Sequence, residues 1–387
     1  MSHSGNPDSI FLDEFFRPPI GRLRPPSPEI RRIATEASEA SEVELKVEVS
    51  IIHYLLRSTM TLSVDAGEDD WAYFKSFSRE CLGLAEVLAG SWHRVPESNW
   101  FAEFTDALKN SPRVDASAVD EIATSFTLSP KLYAFSFPSD KRLEISAVTP
   151  IHLRAINLII WSLSIQLRQQ LQTAESALLQ EGRAIDISER YSLAWHFAEN
   201  YIDYLLPHLF SLYFSDVNYS SLPIPRTLNA EVFARARLCT QTQIDFLMAH
   251  EFAHLLMHQD RTASAHLELE ADEFAYSVLI GEQGLWENQI PAFYTANRWL
   301  FLYLSLDRIL GAVLSDYEID WVDLPIRDRE TPVEFISEMR FSSDEEQDCQ
   351  SLGDLILLRA KYSLADRGAD WIKTASQEFR NRHCFRD

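Results

Sequence analysis

The sequence predicts a mainly α-helical protein with one small β element. Three observations carry that expectation. Glycine is scarce, 11 in 387 residues, whereas turn-rich β folds and glycine-looped nucleotide folds need more. Long segments carry apolar residues at helical spacing. Only two segments alternate in the manner of strands.

Taken in order, residues 1–30 hold six of the 17 prolines and form an expected disordered, Pro-rich tail. Residues 31–228 read as a helix-rich region with a small hairpin. Within it, VELKVEVSI from Val43 alternates as a strand, and a Trp-rich helical stretch carries Trp71, Trp92 and Trp100. The segment LYAFSFPSDKRLEISAV from Leu132 reads as a hairpin turning at Pro138-Ser139-Asp140. One long helix is expected from Pro150 toward Gln180. A second runs from about Ser188 to Phe214, with Leu193, Phe197, Ile202, Leu205 and Leu206 in phase and Pro207 placed to kink it. SLPIPRT, Ser221–Thr227, marks the main boundary. Residues 229–387 then form a helical core. A helix runs from Asn229 into the 250s, with a possible break. A buried helix spans Phe293–Leu314, a loop covers Asp323–Pro332, and the acidic SSDEEQD of Ser342–Asp348 is expected to be exposed. A last helix spans Leu352 to about Phe379.

Charge and short motifs exclude several function classes. Lys and Arg number 35 against 58 Asp and Glu, a net charge of −23. Such a surface repels phosphate backbones and anionic lipid, so neither nucleic acid nor membrane is expected as a partner. No phosphate-cradling G-x-x-x-x-G-K-[ST] or G-x-G-x-x-G occurs. Cys81, Cys239, Cys349 and Cys384 form no C-x-x-C pair, so no cysteine zinc site or redox motif is expected. The first 32 residues lack a basic stretch followed by an apolar core, and therefore do not read as a secretory leader. The longest apolar stretch, Ile156–Leu167, is broken by Asn157, Ser162, Ser164 and Gln166, too polar for a membrane span. The expectation is a soluble, cytoplasmic protein of unspecified oligomeric state.

One stretch carries chemistry: Ile244-Asp245-Phe246-Leu247-Met248-Ala249-His250-Glu251-Phe252-Ala253-His254-Leu255-Leu256-Met257-His258. It contains H-E-x-x-H, for which the chance expectation in a chain of this composition is about 0.02. On a helix, residues four apart sit about 40° apart around the axis, so His250 and His254 present imidazoles side by side. That is what two nitrogen ligands of one tetrahedral zinc require. Glu251, about 100° around, reaches water at the metal without displacing a histidine, as a general base must. Titratable groups in so apolar a run need a partner, and a metal supplies one.

Zinc needs a third protein ligand and an open position. The downstream helical segment His266-Leu267-Glu268-Leu269-Glu270-Ala271-Asp272-Glu273-Phe274-Ala275-Tyr276 offers Glu268 as ligand. Asp272, one turn later on the same face, is placed to orient a ligating histidine. Ala271 and Ala275 let the two helices approach. Glu270 and Glu273 are alternative ligands, and helical phase disfavours Glu270, about 200° from Glu268. His258 extends the histidine face by another turn, about 5.4 Å along the axis, which suits a supporting, rim or solvent role better than ligation. Tyr276, His266, Tyr294 and Arg340 are candidates to stabilise an oxyanion, with Tyr276 put forward among them.

HEFAH followed by ELEADEFA resembles the gluzincin metallopeptidases, whose pattern is H-E-x-x-H then E-x-x-[AG]-[DN]. The details look most like the ImmA/IrrE group, with similarity also to phage-exclusion peptidases of the Lit type. The resemblance covers about Asp245–Leu279 and implies Zn²⁺ on His250, His254 and Glu268, with Glu251 as catalytic base and Asp272 behind the ligands. Ala253 stands where Gly is frequent, and Asp272 where Asn is commoner in ImmA/IrrE. The expected activity is hydrolysis of a protein or peptide substrate. Two other readings compete with it: a metal-binding regulatory or structural protein that does not cleave, and an acidic interaction module built on the Trp-rich half.

Overall fold

The computed structural model describes residues 98–127, 134–146, 148–184, 186–214, 217, 221–223, 230–258, 265–280, 284, 290–315 and 344–384. The tail, the expected strand at Val43, Trp71, Trp92, Cys81, the Asp323–Pro332 loop and Arg340 lie outside these residues. What is described is mainly α, as the glycine-poor, helix-phased sequence predicts. The helices are α1 (Ser98–Asn110), α2 (Ala116–Asp120), α3 (Val148–Gln180), α4 (Ile187–Phe210), α5 (Ala230–Met257), α6 (Ala265–Leu279), α7 (Ile290–Leu314) and α8 (Asp344–His383). A three-stranded sheet of β1 (Ala123–Thr127), β2 (Ala134–Phe137) and β3 (Arg142–Ser146) precedes α3.

The expected hairpin is present. β2 and β3 are antiparallel, with Ser136 opposite Leu143, and Pro138–Asp140 forms a single 3₁₀ turn between them. Lys141 closes the reversal at φ 45°, a left-handed conformation that is uncommon for a non-glycine residue. The sequence missed β1. Its five residues, ATSFT, carry no alternation strong enough to read, and pairing makes them a strand: they run parallel to β3 in the order β1-β3-β2. Among the described residues β2 is therefore an edge strand. Leu143 and Ile145 of central β3 are buried against the helices.

The α3–α4 connection follows from local chemistry. Gly182 adopts φ 77°, the left-handed position that ends a helix, and the Arg183 N–H returns to the Leu178 carbonyl at 2.9 Å. Asp186 then caps α4 by accepting the Glu189 N–H at 2.8 Å. Pro207 sits within α4 near its end, and Ser211–Tyr213 tightens to a 3₁₀ turn.

α5 runs without a break and is apolar around most of its circumference. Ile244, Phe246, Met248, Ala249, Phe252, Ala253 and Leu255 are all buried, as expected of a central helix. α3, α6 and α7 pack around it, and α8 covers α3, α4 and α7. A buried polar network locks α5 in register. The Asn157 side-chain amide on α3 donates to Thr240 Oγ1 (3.0 Å) and Gln243 Oε1 (2.8 Å). Tyr303 of α7 donates to Asn157 Oδ1 at 3.0 Å, and Gln243 donates to the Ala296 carbonyl at 2.8 Å. Every member is satisfied by another, which is the condition under which buried polarity specifies one arrangement.

The acidic Ser342–Asp348 stretch departs from expectation at its end. Asp348 lies in α8 and is half-buried, accepting two 2.9 Å bonds from the Arg190 guanidinium and pairing with Arg168 at 3.3 Å. Among the described residues no helix is long and apolar enough to cross a membrane.

Candidate metal centre

The two α5 histidines meet as their spacing predicts. His250 Nε2 and His254 Nε2 lie 3.1 Å apart. α6 brings Glu268 to both, with Oε2 3.2 Å from His250 Nε2 and Oε1 3.5 Å from His254 Nε2. Buried Ala271 and Ala275 form the close face of α6. One ligand atom from each of the three residues falls within 4.8 Å of the others. Zn–N bonds near 2.0–2.1 Å in a tetrahedron set ligand atoms about 3.3 Å apart, close to the 3.1 Å between the two imidazole nitrogens. The donor chemistry fits as well. Lone pairs on two converging imidazole nitrogens and a carboxylate repel one another unless a cation or proton sits between them. Glu268 is 42% exposed, so one side of the cluster opens to solvent.

Behind the cluster, His250 Nδ1 lies 2.8 Å from Asp272 Oδ1, and Asp272 is buried. Burial disfavours a charged His250, but the Asp272 and Glu268 carboxylates outweigh it and push its pKa up to about 9. His254 Nδ1 lies 3.0 Å from His258 Nδ1, and His258 Nε2 lies 3.0 Å from Glu270 Oε2. Glu270 therefore serves His258 and, through Oε1 at 3.1 Å, His266. His258 is buried; of the roles its spacing allowed, the structure gives it one behind His254.

Glu251 points toward the sheet. Ser136 of β2 hydrogen-bonds to its carboxylate through both hydroxyl and backbone N–H. The N–H is available because, among the described residues, β2 is an edge strand with no partner beyond it in the sheet. Burial pushes the Glu251 carboxyl above its ordinary value, opposed by His250 and Ser136. Sequence reasoning missed Ser136, a serine in an alternating strand with no spacing that ties it to the motif. Tyr276 stacks on Tyr294 with ring centroids 5.2 Å apart and packs against Phe246 at 5.1 Å and Phe293 at 5.9 Å. His266 and Glu273 are exposed.

Two histidines and a carboxylate on neighbouring helices, with a second carboxylate beside them, form a group that could hold a metal ion. Residues 215–298 match the family model Peptidase_M78, described as an IrrE N-terminal-like domain, which supports an ImmA/IrrE-type metallopeptidase. That match contains α5 and α6 whole. No curated protein and no solved structure matches the chain.

Proposed function

We propose that the protein is a zinc-dependent metallopeptidase that hydrolyses peptide bonds of a protein substrate. The observation that carries the reading is the convergence of His250 Nε2, His254 Nε2 and Glu268 on one point beside Glu251. His250, His254 and Glu268 would hold the ion, and Asp272 would fix His250 from behind. A zinc ion there supplies a Lewis acid that makes water acidic and polarises a carbonyl. Glu251 accepts the proton of the attacking water and returns it to the departing amine. A carboxyl raised by burial suits both halves of that task, because it must hold the proton before giving it up. Ser136 keeps the carboxylate aimed. Since Ser136 precedes residue 228, the N-terminal region contributes to the cleft that the 229–387 region carries. Tyr276 is the candidate donor to the oxygen that gains negative charge. Its ring is held among Phe246, Phe293 and Tyr294, which supports packing and puts any catalytic share on the hydroxyl alone.

Metal analysis of the purified chain tests the centre, and one substitution tests the chemistry. We expect about one zinc per chain, lost in His250→Ala. Glu251→Gln should keep the zinc and abolish cleavage, read by comparing the proteomes of cells expressing wild type and variant. A Glu251→Gln protein that keeps both zinc and full cellular activity would instead identify a metal-binding protein that does not cleave.

A further inference from the structure

We propose that His258 and Glu270 form a positioning relay that fixes the tautomer and orientation of His254 from behind. The inference rests on the metal-centre reading and adds two residues outside its ligand set. An imidazole that offers Nε2 to a cation carries its proton on Nδ1, and that N–H needs a fixed acceptor. For His250 the acceptor is the Asp272 carboxylate, 2.8 Å away. For His254 the neighbour at Nδ1 is another imidazole nitrogen, His258 Nδ1 at 3.0 Å.

Two imidazoles share one hydrogen bond only when one donates and the other accepts. If His254 keeps its Nε2 lone pair for the ion, His254 Nδ1–H donates and His258 Nδ1 accepts. With Nδ1 accepting, the N–H of His258 is on Nε2, 3.0 Å from Glu270 Oε2. Donor meets acceptor at each step, from His254 to His258 to Glu270. The reverse polarity sets a bare His258 Nε2 against a carboxylate oxygen. The second Glu270 oxygen is taken by His266 Nε2 at 3.1 Å, which holds the carboxylate in place.

Local structure explains how these residues meet. His258 follows the last residue of α5, yet its N–H still bonds the His254 carbonyl at 3.1 Å, so it stays on the histidine face. Glu270 lies off the Glu268 face of α6, and its side chain reaches the end of α5 instead. Because His258 is buried, water does not readily replace it once it is removed.

Zn²⁺ affinity, measured on the full chain by competition with a chromophoric chelator, tests the relay. His258→Phe fills the same space but neither accepts from His254 nor donates to Glu270, and Glu270→Ala removes the far anchor. Each should weaken Zn²⁺ binding about 10–100-fold. His258→Gln offers an amide oxygen and N–H and should recover most of the affinity. Glu273→Ala, on an exposed carboxylate of the same helix, should leave it unchanged. The visible spectrum of the Co²⁺ form should shift in His258→Phe and return in His258→Gln. If His258→Phe does not fold, Glu270→Ala carries the test. Wild-type Zn²⁺ affinity in both His258→Phe and Glu270→Ala overturns the relay and leaves the metal centre standing. A wild-type chain that binds no Zn²⁺ overturns both.

Discussion

A histidine is useful to a cation only when its far nitrogen is spoken for, and both α5 histidines meet that condition by different means. His250 leans on a carboxylate directly, and His254 on a second imidazole. Spacing in the sequence announces the front of this arrangement, because residues four apart share a helix face whatever surrounds them. It announces Glu268 and Asp272 for the same reason. It leaves open which groups stand behind His254, because the reach of Glu270 to His258 depends on how α6 crosses the end of α5. Ser136 is harder still to foresee: its bond to Glu251 arises only when an edge strand is laid beside a helix far along the chain. Ser136→Ala removes the hydroxyl donor and spares the backbone N–H. A hydrogen bond to a charged group is worth about 1.5–3 kcal/mol; on the proposed reading part of that aims Glu251 as the base, so we expect a fall of about tenfold in cleavage rate with zinc content unchanged. A variant with the wild-type rate would show that the backbone N–H alone positions Glu251.

At the scale of elements, helices α3, α4, α5 and α7 were legible because each is long and apolar at a steady phase. β1 was not, because five residues such as ATSFT become a strand only by pairing with β3. α8 shows where sequence phase and packing part company. The helical pattern runs through Gly368, but the backbone there adopts φ 74° and ψ 179°, and the helix bends. That conformation is essentially open only to glycine. Earlier in α8, Gly353 lies against α7 so closely that a Cβ would fall 2.2 Å from Trp299 Cζ2. Trp299 has little room to yield: it is buried, and its Nε1 donates to Asp354 Oδ1 at 2.8 Å. Overpacking of this kind costs about 1–3 kcal/mol or more. Gly353→Ala should therefore lower the midpoint of denaturant unfolding by at least the equivalent of about 1 kcal/mol. An unchanged midpoint would mean that α7 and α8 are free to separate at this crossing.

Across the whole molecule, a chain of net charge −23 buries, among its described residues, two histidines away from the candidate metal site. His152 of α3 is buried with neither ring nitrogen hydrogen-bonded among the described residues, and burial, reinforced by His208, pushes its pKa down to about 3. His208 of α4 is buried too. Its Nε2 lies 2.8 Å from the Pro223 carbonyl, and burial together with His383 outweighs that bond and brings its pKa down to about 4. Both values lie below the ordinary histidine value near 6.5. The unfolded chain therefore takes up protons at these sites before the folded chain does. Their contribution to stability is complete above about pH 6.5 and is lost as pH falls toward 4 and then 3. Two such groups give a slope of up to about 2.7 kcal/mol per pH unit inside that window. The surface carboxylates act in the opposite sense, because protonating them relieves the repulsion of the excess negative charge. The histidine effect is best isolated as a difference between wild type and a variant. His152→Leu removes one uptake site and keeps an apolar side chain in the core. Denaturant melts at pH 7, 6, 5 and 4.5 should show wild type losing stability faster than His152→Leu, by about 1.4 kcal/mol per pH unit below pH 6. Parallel curves for the two proteins would mean that His152 is not held neutral in the fold.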